Sequence, residues 1–221
     1  RPVVDYVVKD LVAAGIKDIY FIVGEQSDQI QSYYRSNVQL NDYLRAKGKS
    51  DYLSLVAPLS GVNVHYITQP LSRGYGTSIP VGLASPYIDE DESALVIMGD
   101  QFFYRADGGS NAADLMRLVE ESEATAGLFG NPLPDELIPQ FGIIEKDDAG
   151  HFVRIVEKPT LEEAPSNLNN SSFYLFDKAL FELARTTPVN PKRGEFEVTD
   201  AINAYVASGK KMVVGTVAGE Y

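Results

Sequence analysis

Glu157 and Lys158 stand side by side at the end of an apolar, strand-like stretch, Phe152 to Val156, and Pro159 fixes the backbone directly after them. A carboxylate accepts hydroxyl protons and an ammonium neutralises phosphate, so the pair could clamp a sugar phosphate. A solvated turn is the competing reading of the same dipeptide. A lysine beside a phosphoryl group also stabilises charge that grows during phosphoryl transfer. Asp100 ends a second apolar run, "SALVIMGD", behind a glycine that permits close approach. One carboxylate there suits Mg²⁺, which takes few protein ligands and completes its shell with phosphate oxygens and water. An aspartate in a turn explains the residue equally well.

Gln69 ends a third run and is followed by "PLSRGYGTS", in which Gly74 and Gly76 open a helix. An amide offers a donor and an acceptor, which complement the imide edge of uracil or thymine, and glycine lets a flat base lie against backbone. The helix start could also attract phosphate. An ordinary glycine-rich connection is the alternative. The spacing is neither a dinucleotide fingerprint nor a P-loop. Gly142 opens a strand in "QFGII", where its N–H could donate to a sugar hydroxyl; a plain strand start accounts for it too. Glu195, in "GEFEVTDAI", could hydrogen-bond a sugar or cap the helix that follows.

Composition narrows the chemistry. With no cysteine there is no disulfide, thiolate metal site or cysteine nucleophile, and the chain fits a reducing compartment such as the cytoplasm. Two histidines far apart, His65 and His151, argue against a histidine-rich metal site; the first reads as a strand residue, the second as a turn residue. The net charge of −12 and the lack of a basic stripe disfavour nucleic acid and anionic membrane surfaces. A small phosphorylated substrate remains compatible, because screening over about 8 Å leaves local cations in control. No apolar run approaches the roughly 20 residues of a membrane span.

These residues need a frame that collects strand ends. "VVDYVVKDLVAAG" carries a helical apolar stripe ended by Gly15. "DIYFIVG", "VNVHYIT", "SALVIMGD", "TAGLFG", "GIIEKD", "HFVRIVE", "SSFYLF" and "KMVVGTV" read as strands. "SDQIQSYYRSN", "LNDYLRAKGK", "NAADLMRLVEESEA" with Asn111 as N-cap, "DKALFELART" and "EVTDAINAYVASG" read as helices. In "GYGTSIPVGLASPYI", Pro80 implies a kink or a late helix start. Strands buried on both faces and alternating with helices predict an α/β sandwich with a mostly parallel central sheet. The strands between Gly142 and Phe176, turning at "KDDAG", predict an antiparallel part within it. No linker or repeat is visible, so residues 1–221 read as one domain. In such sheets ligands bind outside the carboxyl ends of the strands.

The ordered set "RPVVDYVV", "Q…G-x-G", "GD", "FGII", "VEKP", "APSN" and "GEFEVTDAI" resembles the sugar-phosphate nucleotidylyltransferases over nearly the whole chain. "VEKP…EEAPSNL" is the part most like the bacterial branch that joins UTP to glucose 1-phosphate. The resemblance implies a three-layer α/β/α sandwich with a mixed, mostly parallel sheet. It implies direct in-line attack of the sugar phosphate on the α-phosphorus of a nucleoside triphosphate, with release of pyrophosphate. Gln69 and Gly74 would hold the pyrimidine, and Asp100 would bind Mg²⁺ as a catalytic metal ligand. Gly142, Glu157 and Glu195 would hold glucose, and Lys158 its phosphate. The family opens with G-x-G-[TS]-R and carries a second metal aspartate in Y-D-x-G; this sequence starts after the first and stops before the second, so it reads as a core without either end. Gln101, the "NNSSFY" stretch and Thr77, where the branch often has histidine, depart from the pattern. A thymidylyltransferase, or a non-catalytic sugar-nucleotide-binding protein, is the alternative. "GDQFF" lacks the D-x-D of metal-dependent glycosyltransferases. Oligomeric state is not set by sequence, and a homo-oligomer stays open.

Overall fold

The computed structural model describes residues 2–57, 59, 61–101 and 103–218. Arg1 and Phe102, each part of a quoted motif, and residues 219–221, at which the sequence approaches the expected Y-D-x-G, lie outside them.

Helix α1 (Val3–Ala13) ends at Gly15, whose φ of +88° suits glycine alone. It leads into β1 (Asp18–Gly24), which pairs in parallel with β2 (Asn63–Gln69), so that Gly24 and Gln69 end the two strands in register. The crossover between them carries α2 (Gln29–Tyr34), α3 (Val38–Ala46) and the single turn α4 (Leu53–Val56). Asn37 caps α3 by accepting the Leu40 N–H at 2.9 Å. Val8, Ile19, Phe21 and Tyr34 form the buried centre of this part.

The second sheet is six-stranded and mixed. It contains β3 (Ser93–Ile97), β4 (Ala126–Pro132), β5 (Gly142–Lys146), β6 (Phe152–Glu157), β7 (Leu168–Asp177) and β8 (Met212–Gly215). The order is β6-β5-β7-β4-β8, with β3 also on β7. β4 and β8 are parallel; the β3–β7, β4–β7, β5–β7 and β5–β6 pairs are antiparallel. Alternate residues of the central strands enter different cores. Leu128, Tyr174, Phe176 and Val214 pack with α5 (Ser78–Ala84), α7 (Lys178–Thr186) and α8 (Val198–Ala207) on one face. Phe129, Phe173, Leu175 and Val213 pack with α6 (Asn111–Glu120) on the other. This is why the strands read as unbroken apolar runs, and it gives the three layers expected.

One expectation needs correction. The N-cap of α6 is Ser110, whose hydroxyl accepts the Ala113 N–H at 3.0 Å. Asn111 is the first helical residue; it is buried, and its Oδ1 accepts the Ala218 N–H at 3.1 Å. Either polar residue suits a cap by type, and tertiary packing decided between them.

Two features of the frame create the site. First, β3 and β5 follow one another along the same edge of β7, since β4 occupies the other edge at both Tyr174 and Asn169. β3 leaves at Met98, which donates to the Ser172 carbonyl, and β5 begins at Gly142. The notch between them is floored by Asn170 to Ser172, where β7 is irregular and Ser172 takes a φ of +52°. Second, residues 75–78 are sewn to Phe196. Phe196 donates to the Tyr75 carbonyl at 3.0 Å, and Ser78 donates to the Phe196 carbonyl at 2.8 Å. Gly76, at φ +137°, has no room for a side chain, because a Cβ there would lie 2.2 Å from the Phe196 oxygen. Helix α5 therefore starts late, at Ser78, with Pro80 in its first turn, where the missing N–H is not needed.

Gly76→Ala should consequently destabilise the fold by at least about 2 kcal/mol, the range for a backbone clash at a strained φ. Gly24→Ala, with open space around its α-carbon, should change stability far less. Paired thermal melts check this; equal melting temperatures would show that the seam yields.

Candidate active site

Gln69 ends β2 half-buried, and its amide has no hydrogen-bond partner among the described residues. Past it, a single 3₁₀ turn leads to Gly74 at φ +92°. That turn is steadied by Glu25, whose carboxylate accepts the Leu71 N–H at 3.2 Å. Between Gly24, Glu25, Gln26, Ser27, Gln29 and Leu71 an open cleft of about 390 Å³ lies beyond the carboxyl ends of β1 and β2. The Cβ direction of Gly74 is taken by the Phe196 ring, 2.9 Å from where a Cβ would sit. The glycine thus seats an aromatic ring of its own chain.

Gly142 and Glu157 face each other in the β5–β6 ladder. A Cβ on Gly142 would lie 2.9 Å from a Glu157 carboxylate oxygen, so glycine is needed to make room for that carboxylate. Lys158 donates its N–H to the Phe141 carbonyl at 3.0 Å and adopts φ +45° ahead of buried Pro159. Such a conformation costs a non-glycine residue roughly 1 kcal/mol or more, and strain of this kind collects at functional sites. The Lys158 side chain is exposed, and no carboxylate among the described residues pairs with its ammonium.

Glu195 is not the cap of α8. That position falls to Glu197, and the Val198 N–H is accepted by the Thr77 hydroxyl at 2.9 Å. Thr77 also reaches the buried Glu197 carboxylate, at 3.4 Å. Arg193 donates to Glu197 and lies 3.7 Å from Glu195. Glu157 belongs to the same cluster. Burial pushes its carboxyl above the usual range; Glu197 adds to that, while Thr199, Arg193 and Lys158 oppose it. Neither Arg193 nor Glu197 stands out by residue type or spacing, and Thr77 does so only as a departure from the family pattern. The only local signal was a cation two residues before a glutamate that had already been singled out; the Thr77–Val198 bond spans 121 positions and leaves no trace in spacing.

Asp100 lies exposed just past β3, with no hydrogen bond or ion pair to any described residue. Among the described residues no three histidine or acidic groups stand close enough to cage a metal. A lone, unengaged carboxylate fits an ion whose other ligands are water and phosphate oxygens. The structure therefore brings Gly142, Glu157, Lys158 and Glu195 into one cluster, joins Gln69 and Gly74 to it through Phe196, and sets Asp100 at the other end of the β7 notch. Together these groups can accept hydroxyls, meet a flat heterocycle with an amide, and balance phosphate charge.

Comparison with known proteins follows the same line. The profile of the nucleotidyl transferase family matches residues 1–220. The UTP–glucose-1-phosphate uridylyltransferase of Bacillus subtilis is 30% identical over 235 residues, covering 99% of this chain and 77% of that protein. The UDP-glucose pyrophosphorylase of Acinetobacter baumannii superposes with a TM-score of 0.84 at 27% identity, covering 100% of this chain and 76% of that one. A UTP-bound enzyme of the same name and organism gives 0.84 at 26%, with the same coverage.

A buried carboxyl with a raised pKa destabilises the fold once it ionises. Below the unfolded value of 4.5 it is neutral in both states and contributes nothing. As pH rises above that value the unfolded chain ionises first, and stability falls until the folded carboxyl ionises too. Glu157→Gln should therefore melt at a higher temperature than wild type at pH 7 to 8, with the gain vanishing near pH 4. A lower melting temperature at neutral pH would show that the ionised carboxylate is a net stabiliser.

Proposed function

Because the chain belongs to the nucleotidyl transferase family, we propose that it transfers a uridylyl group from UTP to glucose 1-phosphate, giving UDP-glucose and pyrophosphate. The observation that carries this reading is a set of polar side chains at or just past strand ends, without a hydrogen-bond or ion-pair partner among the described residues. They are the Gln69 amide, the Asp100 carboxylate and the Lys158 ammonium, the last beside the partly buried Glu157, which Arg193 links to Glu195. Gln69 is half-buried without a partner, which costs stability until a ligand completes it, whereas the exposed Asp100 and Lys158 keep their charges free for one. The two substrates are those by which the similar proteins are named.

In this reading the Gln69 amide meets the uracil imide edge, and the Gly74 backbone supports the ring. Glu157 and Glu195 accept glucose hydroxyls, with Gly142 keeping the Glu157 carboxylate in place. Lys158 holds the sugar phosphate. The phosphate oxygen of glucose 1-phosphate forms a bond to the α-phosphorus of UTP as the bond from that phosphorus to the pyrophosphate oxygen breaks in line. No covalent enzyme intermediate is needed. Binding two substrates in one geometry supplies much of the rate, and the Lys158 charge offsets the negative charge gathered at the reacting phosphates. Asp100 would hold Mg²⁺, which supplies charge neutralisation at the triphosphate when bound. The whole chain acts as one transfer domain.

The test is pyrophosphate release by the intact gene product with Mg²⁺ and glucose 1-phosphate, against UTP, dTTP, ATP, CTP and GTP separately. UTP should lead, and EDTA should abolish release. A lead for dTTP would move the protein to the thymidylyl branch, since an amide reads uracil and thymine alike. Silence with every nucleotide would leave a sugar-nucleotide-binding protein. Lys158→Ala should lower turnover by about 100-fold or more, as for loss of a group aimed at transition-state charge. Its melting temperature should stay within about 3 °C of wild type, as for an exposed side chain. Unchanged turnover would remove Lys158 from the site.

A further inference from the structure

Asn190 stands outside the site, yet five hydrogen bonds converge on it. Its N–H donates to the Glu195 carbonyl at 2.8 Å, and its carbonyl accepts the Gly194 N–H at 2.8 Å. Its side-chain Oδ1 accepts two successive backbone N–H groups, from Lys192 at 3.0 Å and from Arg193 at 3.2 Å. Its Nδ2 donates to the Asp200 carboxylate in the first turn of α8, at 2.8 Å. Pro191 favours an extended conformation for the residue before it, and Gly194 supplies φ +72° where the loop reverses. An Asx-type turn is thereby closed on itself and pinned to the helix behind it. The two side chains it presents are Arg193 and Glu195, which lie 3.7 Å apart.

We propose that Asn190 is the positioning residue of the sugar-binding arm. It touches no substrate. It fixes the loop that places Arg193 and Glu195, and among the described residues its side chain is the one link between that loop and the Asp200 carboxylate. Only an amide does both jobs, because Oδ1 must accept from the loop while Nδ2 donates to an acid. The role assigned to the arm rests on the function proposed above; the clip itself does not.

Three variants of the intact gene product separate the possibilities. Asn190→Ala deletes all three side-chain bonds. Asn190→Asp keeps the two acceptor bonds but sets a carboxylate against Asp200. The double variant Asn190→Asp with Asp200→Asn reverses the donor and restores the network. Two readouts are needed: KM for glucose 1-phosphate and for UTP measured separately, and the rate of tryptic cleavage after Lys192 and Arg193, both exposed. For Asn190→Ala we expect KM for glucose 1-phosphate to rise about tenfold, the loss typical of a disrupted supporting shell. KM for UTP should stay within about twofold, since the base-side contacts are untouched. Cleavage should accelerate, and the double variant should recover both readouts better than Asn190→Asp alone. Wild-type cleavage in Asn190→Ala, or no recovery in the double variant, would overturn the clip. Equal rises in both KM values would overturn its selective role. If wild type does not act on glucose 1-phosphate at all, the functional reading falls while the cleavage rates still decide the clip.

Discussion

The contact on which the rest depends is the approach of Gly76 to the backbone of Phe196. A Cβ at position 76 would sit 2.2 Å from the Phe196 oxygen, closer than any real side-chain atom. That approach allows two backbone hydrogen bonds, lets the Phe196 ring fill the space over Gly74, and sets the Thr77 hydroxyl where α8 needs a cap. One seam therefore joins the loop after β2, which carries Gln69, to the arm before α8, which carries Glu195. A nucleotide and a sugar held by those two segments would be held in fixed relation to each other, which is what a two-substrate displacement requires.

The remaining site residues are placed by the way β7 is shared. It pairs with β3 and β5 along one edge, and the notch between them has Met98, two residues before Asp100, at one end and Gly142 at the other. The local cost is visible. Lys158 and Ser172 both take positive φ values without being glycine, and the partly buried Glu157 has its pKa raised by desolvation, with the Glu197 charge adding to it. The cores on either side of the sheet are built from fully buried residues such as Leu128, Phe176, Leu115 and Ile202. A fold so packed can carry a few kcal/mol of strain at one margin.

Much of this was legible in the sequence, for reasons that differ by residue. β3, β4 and β8 are apolar on both faces and announced themselves as continuous runs, and Gly15 marked a helix end that the structure keeps. The strand-end positions of Gln69, Asp100 and Glu157 followed from reading where each run stops. The Ser110 cap was missed because the pattern could not show that Asn111 is engaged by Ala218, 107 positions away. For the same reason the second role of the glycine pair was hidden. Gly74 and Gly76 suggested room for a base, and in the structure they also seat Phe196, which is placed by tertiary folding. The Arg193–Glu197 pair and the Asn190 clip likewise depend on the path of a loop that no periodicity records.

The most direct test of this account is the crystal structure of the protein with UDP-glucose bound. Uracil should lie against Gly74 with its imide edge on the Gln69 amide. Glucose should lie within hydrogen-bond distance of Glu157 and Glu195, with Lys158 on the phosphate side, so that one ligand bridges the Gly76–Phe196 seam. Density for the ligand on one side of that seam only, or in the cleft between α7 and α8 around Leu183 and Ala204, would contradict it.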